Sequence, residues 1–350
     1  MSVNDALEDA FIRHQIFLQR YVSGREREAQ KFIKRLLNGI IAQIGSNDIT
    51  VFGQARLAKQ ISDLQLYMTA LSDDYQTKLI KEMIDFSSYE AEFNYNVLRQ
   101  NITNYTDFAL PSPAQLEAAI FTEVMDLEAN KGYTISTALR EFSTKKQTQI
   151  IQVIRDGIAL GTPIAGITQS ITGLSALQGR QASTLARTIV NMIATITRTT
   201  TMRANRKLTS RYKWVATLDG FTSVICMGLD GKVFKDIDSN PKPPAHFNCR
   251  STITYVVDPK YDLGKKVKGT RPSVGADDKA RSVSDRLTYE RWLRTQPRSF
   301  QNEVLGVGRA NIFREGKLPL DKFVDMNGRE LNLDQLRELE QLYTSANAGF

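Results

Sequence analysis

The chain has only two cysteines and two histidines in 350 residues. Two cysteines are too few for a disulfide framework, so a buried core has to carry the fold. No apolar run reaches the roughly 20 residues of a membrane-spanning helix, and the opening MSVNDALEDAFIRHQ lacks the basic-then-apolar order of a signal peptide. These absences lead to the expectation of a chain made and kept in a cytoplasm. A Gly-x-x-x-x-Gly-Lys phosphate loop and a His-Glu-x-x-His metal pair are missing too, which removes two common nucleotide and metalloprotease chemistries.

One further absence is local. From Gly157 to Leu218 there is no Asp or Glu, although Arg180, Arg187, Arg198, Arg203, Arg206, Lys207, Arg211 and Lys213 all lie there. A one-signed stretch of this kind attracts DNA phosphates or an acidic protein surface. It is equally the solvated face of a helix balanced by acidic neighbours in the fold. Arg198, Arg203, Arg206, Lys207 and Arg211 are the candidate DNA contacts.

What is abundant is helical periodicity. Asn4 is placed to cap a first helix, and Phe32, Leu36, Leu37, Ile40, Ile41 and Ile44 continue its apolar stripe to a stop at Gly45 and Ser46-Asn47-Asp48. His14, three residues beyond Phe11, reads as a surface or boundary residue. Two more helices are expected over Gly53 to Leu71 and Asp73 to Asn101, the latter with Leu79, Met83, Phe86, Phe93 and Val97 on one face. Leu110-Pro111-Ser112-Pro113 breaks the pattern, and Pro113 opens the next helix. Helices then follow over Ser136 to Leu160, Ile164 to Thr172 and Gln181 to Ser210. The fold class expected is mainly α, with long N-terminal helices and a small α+β part in which a central basic helix packs on a small antiparallel sheet.

Four regions follow: an N-terminal helical region 1–110, a central domain 111–258, a flexible basic linker 259–284 and a small helical extension 285–350. The linker is rich in Lys, Gly and Asp, a composition that buries little surface, so it reads as extended or mobile.

The central domain holds the chemistry. Both cysteines, Cys226 and Cys249, and His246 fall within one window, between a strand led by Trp214 and a second strand from Thr252. Asp230-Gly231 suits the positive φ of a tight hairpin, and Pro241, Pro243 and Pro244 forbid regular structure ahead of His246. Three readings of the trio stay open. Zinc accepts these ligand types, with Asp219 or Asp230 as a fourth ligand. A Cys226–Cys249 disulfide is the second, and two buried thiols beside a hydrogen-bonded histidine the third. No cofactor is certain, and zinc is the one the residues suggest. A Cys–His nucleophile pair would need His246 aligned toward a substrate. Glu338 and Glu340 superficially resemble the paired glutamates of ADP-ribosyltransferase toxins, but they read as a solvated helix face.

At these residues a resemblance becomes specific. The Trp-led strand with Asp219, Cys226 ahead of Leu229-Asp230-Gly231-Lys232, and Pro243-Pro244-Ala245-His246-Phe247-Asn248-Cys249-Arg250-Ser251 resemble the Mu F-like head morphogenesis family of tailed phages. Ile196-Thr197-Arg198-Thr199 with Arg203-Ala204-Asn205 is similar to the helix that leads into that family's sheet. The resemblance covers about Ile150 to Asp258. It implies structural roles for Asp219, Gly231, Pro244 and Arg250, and a non-enzymatic minor head protein that assembles near the portal. Portal, capsid and scaffolding proteins and packaged DNA are the implied partners. The implied location is the capsid interior or portal vertex, after assembly as an oligomer in the host cytoplasm. Two alternatives stand beside it: a DNA-binding protein ejected with the genome, and a host-acting enzyme of transferase or thiol type.

Overall fold

The computed structural model describes residues 2–45, 54–127, 131–238, 241–264, 269–315, 318–325 and 329–347. Three long helices dominate: α1 (Val3–Gly45), α2 (Gln54–Asn101) and α5 (Ile164–Ala204). Between them lie α3 (Pro113–Thr122), a hairpin of β1 (Met125–Leu127) and β2 (Lys131–Tyr133), and α4 (Ile135–Ala159). The chain is mainly α with small antiparallel sheets, as expected from the sequence.

Local chemistry sets most of the boundaries. Ser112 caps α3 in a capping box with Gln115, and Pro113 sits in the first turn, where a missing N–H costs nothing. Thr134 and Thr137 do the same for α4. Asn4, in contrast, is not a cap. Ser2 Oγ accepts the Asp5 amide at 3.2 Å, and the Asn4 side chain instead receives the Val257 amide at 2.9 Å, tying the first helix to the end of the sheet. The Ser46-Asn47-Asp48 stop and Gly53 lie outside the described residues.

Two of the expected helix breaks do not occur. α2 runs unbroken through Leu71 to Asp73, and α5 through Gly173 and Gly179. A helical glycine costs about 1 kcal/mol relative to alanine. Burying Ile167, Ile171, Ala182 and Leu185 along α5 outweighs that, at about 1.5–3 kcal/mol for each large side chain. Helices α1 and α2 approach closely at Gly39, where any Cβ would strike the Tyr67 ring.

The central sheet has the order β4-β3-β5, built from β3 (Arg211–Val215), β4 (Val233–Phe234) and β5 (Thr252–Val256), with α6 (Val224–Leu229) inserted after β3. Tyr212 opposes Tyr255 and Phe234, and Trp214 opposes Ile253. Their inner faces pack on Leu7 and Phe11 of α1, Val97 and Leu98 of α2, and Met202 of α5. Gly231 has φ +81°, as its Asp-Gly sequence suggests. Its turn has a type II form, with Asp230 at φ −58° and ψ 127° and a Lys232 N to Leu229 O bond of 3.0 Å, and joins α6 to β4 rather than closing a strand–strand hairpin.

The segment expected to be a mobile linker is ordered over much of its described length. Its strands β6 (Thr270–Val274) and β7 (Ala280–Ser284) pair antiparallel, and Val274 N donates to Leu218 O at 2.8 Å. The physical reason is one buried charge. Arg271 donates through Nη1 to Asp230 Oδ2 at 3.0 Å, and its Nη2 bonds the Ala216 carbonyl. Asp230 completes the joint by accepting the amides of Ala216 and Tyr289, each at 2.7 Å.

Beyond this joint, α7 (Tyr289–Arg294), α8 (Arg298–Leu305), α9 (Val307–Glu315) and α10 (Leu333–Asn347) form a helical extension. Its core of Tyr289, Trp292, Phe313 and Phe323 closes on Val224 and Met227 of α6. Gly228 of α6 makes that contact possible, since a Cβ there would lie 3.0 Å from the Leu320 carbonyl oxygen.

Candidate functional site

The Cys–His site is built where α6 meets the loop before β5. Ser223 caps α6, accepting the Cys226 amide at 3.3 Å, and so points the first turn of that helix at the loop. A cis peptide joins Pro243 and Pro244, and Asn248 holds φ +68°. Helix α5 grips the loop from behind: Thr188 Oγ1 accepts the Asn248 amide at 3.0 Å, and Asn191 Nδ2 donates to the carbonyls of Cys249 at 2.9 Å and Ser251 at 3.1 Å.

The three side chains converge as their spacing suggests. Their ligating atoms lie within 4.8 Å of one another, and among the described residues no Asp or Glu joins them. Cys226 Sγ is 3.6 Å from Cys249 Sγ, so the cysteines are free thiols rather than a disulfide, whose S–S bond would be about 2.05 Å. Cys226 Sγ is 3.3 Å and Ser223 Oγ 2.8 Å from His246 Nε2. On the far side of the ring, Nδ1 donates to the Phe247 carbonyl at 2.7 Å. Both cysteines are buried.

The electrostatics are unequal. Burial opposes a charged Cys249, yet hydrogen bonding from Cys226 and His246 and the imidazole charge outweigh it and hold this thiol well below its ordinary range. Cys226 is pushed well above that range by its bond to Cys249 and by burial. Burial alone would lower His246, but Cys249 and the Phe247 carbonyl favour the charged ring and the net direction is up.

Neither acid considered as a fourth ligand is free to serve. Asp219 receives both Arg250 guanidinium nitrogens, at 2.5 and 2.6 Å, and the Phe221 amide at 2.9 Å. Asp230 is saturated by Arg271 and two amides. Both are joints of the loop framework, and the Arg250 guanidinium also lies over the Phe221 ring at 5.7 Å. Gly231 donates its amide to the Trp214 carbonyl at 2.9 Å.

The basic stretch does not form one surface. Arg198 is fully buried, so it is removed from the DNA-contact set: a guanidinium with 0% exposure cannot meet a phosphate in this fold. It donates to Ile253 O at 3.0 Å and to Thr252 Oγ1, lies over Phe11 at 4.4 Å and stands 4.0 Å from Glu90. Glu90 in turn bonds His14 Nε2 at 2.5 Å, and the His14 ring stacks on Phe93 at 3.6 Å. His14 is therefore a core residue, contrary to the surface or boundary position its neighbours in sequence suggested. Arg203 is held by Glu123 through two 3.0 Å bonds and by Asp238 at 2.8 Å, and Arg206 shares Asp238. Lys207 reaches Asp107 at 3.4 Å in an exposed pair, and Arg211 donates to Val257 O at 3.2 Å.

Several residues of this site carried no sequence signal strong enough to find them. Asn191, Arg271 and Asn94, whose Oδ1 accepts from Tyr255 Oη at 2.7 Å and Arg198 Nε at 3.3 Å, are single polar residues whose partners lie far away in the chain, and Ser223 meets His246 23 residues on. Asn205 was visible as part of Arg203-Ala204-Asn205. Its side chain donates to Ala109 O at 2.8 Å and accepts Ala109 N at 2.9 Å, pinning the segment before α3 to the end of α5.

No curated protein and no solved structure matches this chain. A family model does, over residues 148–254, from the middle of α4 through α5 and the Cys–His loop into β5. That span closely follows the stretch whose motifs carried the resemblance. The central third of the chain is thus similar to the family described as phage Mu protein F like protein.

Proposed function

We propose that this chain is a minor head protein of a tailed phage that assembles near the portal vertex. The observation that carries the reading is the family match, which falls on the α5 spine and the loop it grips. Portal and capsid proteins are its partners, with scaffolding protein met during assembly in the host cytoplasm. Helices α1 and α2, of 43 and 48 residues, are about 65 and 70 Å long at 1.5 Å per residue. They offer long outer faces for docking on portal, capsid or further copies of the chain.

The role of the Cys–His loop is architectural in this reading. Both sulfurs are buried, which keeps a substrate from a Cys–His pair, and Glu338 lies exposed on α10. Contact with packaged DNA falls to Arg180, Arg206 and Lys207, which are exposed; for the last two, phosphate would have to displace Asp238 and Asp107.

Mass spectrometry of purified particles, before and after genome release, tests the proposal. Presence in both is the expected result. Loss on emptying would move the protein to the ejected class, and absence from every particle would overturn the head reading.

A further inference from the structure

We infer that Cys226, His246 and Cys249 bind one Zn²⁺ per chain, with the fourth corner of the tetrahedron facing the Ser223 hydroxyl. The inference stands on side-chain geometry and is independent of the head-assembly reading. Zinc binds thiolate at about 2.3 Å and imidazole at about 2.0–2.1 Å. A tetrahedron with those arms has edges of about 3.8 Å between sulfurs and about 3.6 Å from sulfur to nitrogen. The corresponding separations here are 3.6 Å and 3.3 Å, so two edges are formed to within a few tenths of an ångström.

The histidine is prepared as a ligand. Nδ1 donates to the Phe247 carbonyl, which fixes the proton there and leaves the Nε2 lone pair facing the sulfurs. The loop that carries the ring is held in place, because the Asn248 amide and the Cys249 carbonyl are bonded to Thr188 and Asn191 of α5. Cys226 is fixed from the other side by the capped turn of α6. Ser223 Oγ, 2.8 Å from Nε2, is a polar group beside the trio and the one we assign to the remaining corner. Two thiolates and one imidazole in tetrahedral array select zinc over harder cations such as Mg²⁺ or Ca²⁺. Binding displaces two protons from the trio, which pass to solvent, and closes a staple between α6 and a loop 23 residues further on.

The test uses the full chain, purified without chelator or affinity metal. Elemental mass spectrometry should return about one zinc per chain, and thiol titration of the denatured, demetallated protein should return both cysteines. Exchange into Co²⁺ should give the visible bands of a tetrahedral thiolate site, a readout on the unaltered protein that survives any folding defect in variants. His246→Ala and Cys249→Ser should lower zinc content more than tenfold. Ser223→Ala should keep the stoichiometry and weaken affinity about 10–100-fold, as losses around a metal site do. Less than about a tenth of a zinc per chain with both thiols free, absence of thiols through a disulfide, another metal in the same ratio, or a Co²⁺ form without those bands would each overturn the inference.

Discussion

The two halves of α5 are one continuous helix in two different environments. From Ile164 to Arg187 the helix is amphipathic: Ile167, Ile171, Ala182 and Leu185 face the core while Gly173 and Arg180 face outward. From Thr188 to Thr199 every residue is buried, with α1, α2, α3, α4 and β5 around the helix as a whole. The first half holds the bundle together by apolar contact. The second does it with polar groups: Thr188, Asn191 and Arg198 fasten the loop and strand that carry Cys249 and Thr252.

The difference shows what buried polarity needs. Thr188 and Thr201 return their hydroxyls to carbonyls one turn back, and Asn191 and Arg198 spend their donors on loop and strand carbonyls that β pairing leaves open. Thr199 likewise returns its hydroxyl to the Ile196 carbonyl, while the Thr195 and Thr197 hydroxyls and Arg198 Nη2 stay without a hydrogen-bond partner. Most but not all of the buried polarity of this threonine-rich helix is therefore satisfied. Replacing Arg198 by Ala should be the most damaging change. It leaves Glu90 buried without its cation and frees the Ile253 carbonyl, a loss of about 3–5 kcal/mol by analogy with other broken buried pairs. Urea denaturation should show a clear drop in midpoint, or no cooperative transition at all.

Asn191→Ala should come next. It strips two buried carbonyls of donors, which costs about 1–3 kcal/mol. The same change should loosen the loop behind Cys249, so that thiol reactivity in the folded protein rises together with the loss in stability. A stability loss with no gain in reactivity would mean that α5 holds the sheet but not the loop.

This contrast also explains which parts of the structure were legible in the sequence. The first half of α5 and the stripes of α1 and α2 announce themselves because one-sided burial leaves a 3.6-residue period. The second half was read as helix from its spacing too, but burial on every side hid the surroundings of its arginine, which looks like the surface arginines around it. Arg198 and Arg203 are five positions apart, with 0% and 30% side-chain exposure, and nothing local distinguishes them. The Cys–His trio was legible because such residues are scarce. The linker was misread because Arg271 anchors it through Asp230, a pairing across 41 residues that composition does not encode. His14 was misread for the same reason, its partner Glu90 lying 76 residues away.

In the open half, Gly173→Ala should stabilise. Among the described residues a Cβ there meets nothing within 4 Å, and the residue is helical and exposed. The gain is about 0.5–1 kcal/mol, the helix propensity of alanine over glycine, read as a rise in the denaturation midpoint. A loss instead would show that α5 flexes at this position for a reason the packing does not reveal.

The smallest effect belongs to Arg180→Glu. Arg180 is exposed in the open half, and away from buried networks a surface change stays within about 0.5 kcal/mol. Stability is therefore blind to it, and this makes the variant a clean probe of charge. If this half of α5 faces packaged DNA, the reversal should weaken DNA retention and flatten its salt dependence while the denaturation curve stays put. With Arg198 the two readouts cannot be separated, because removing a buried charge changes the fold before it changes any surface. Equal DNA retention by the wild-type and Arg180→Glu proteins across a salt series would leave the positive stretch as a structural feature of the helix, its charge balanced by Glu26, Glu123 and Asp238.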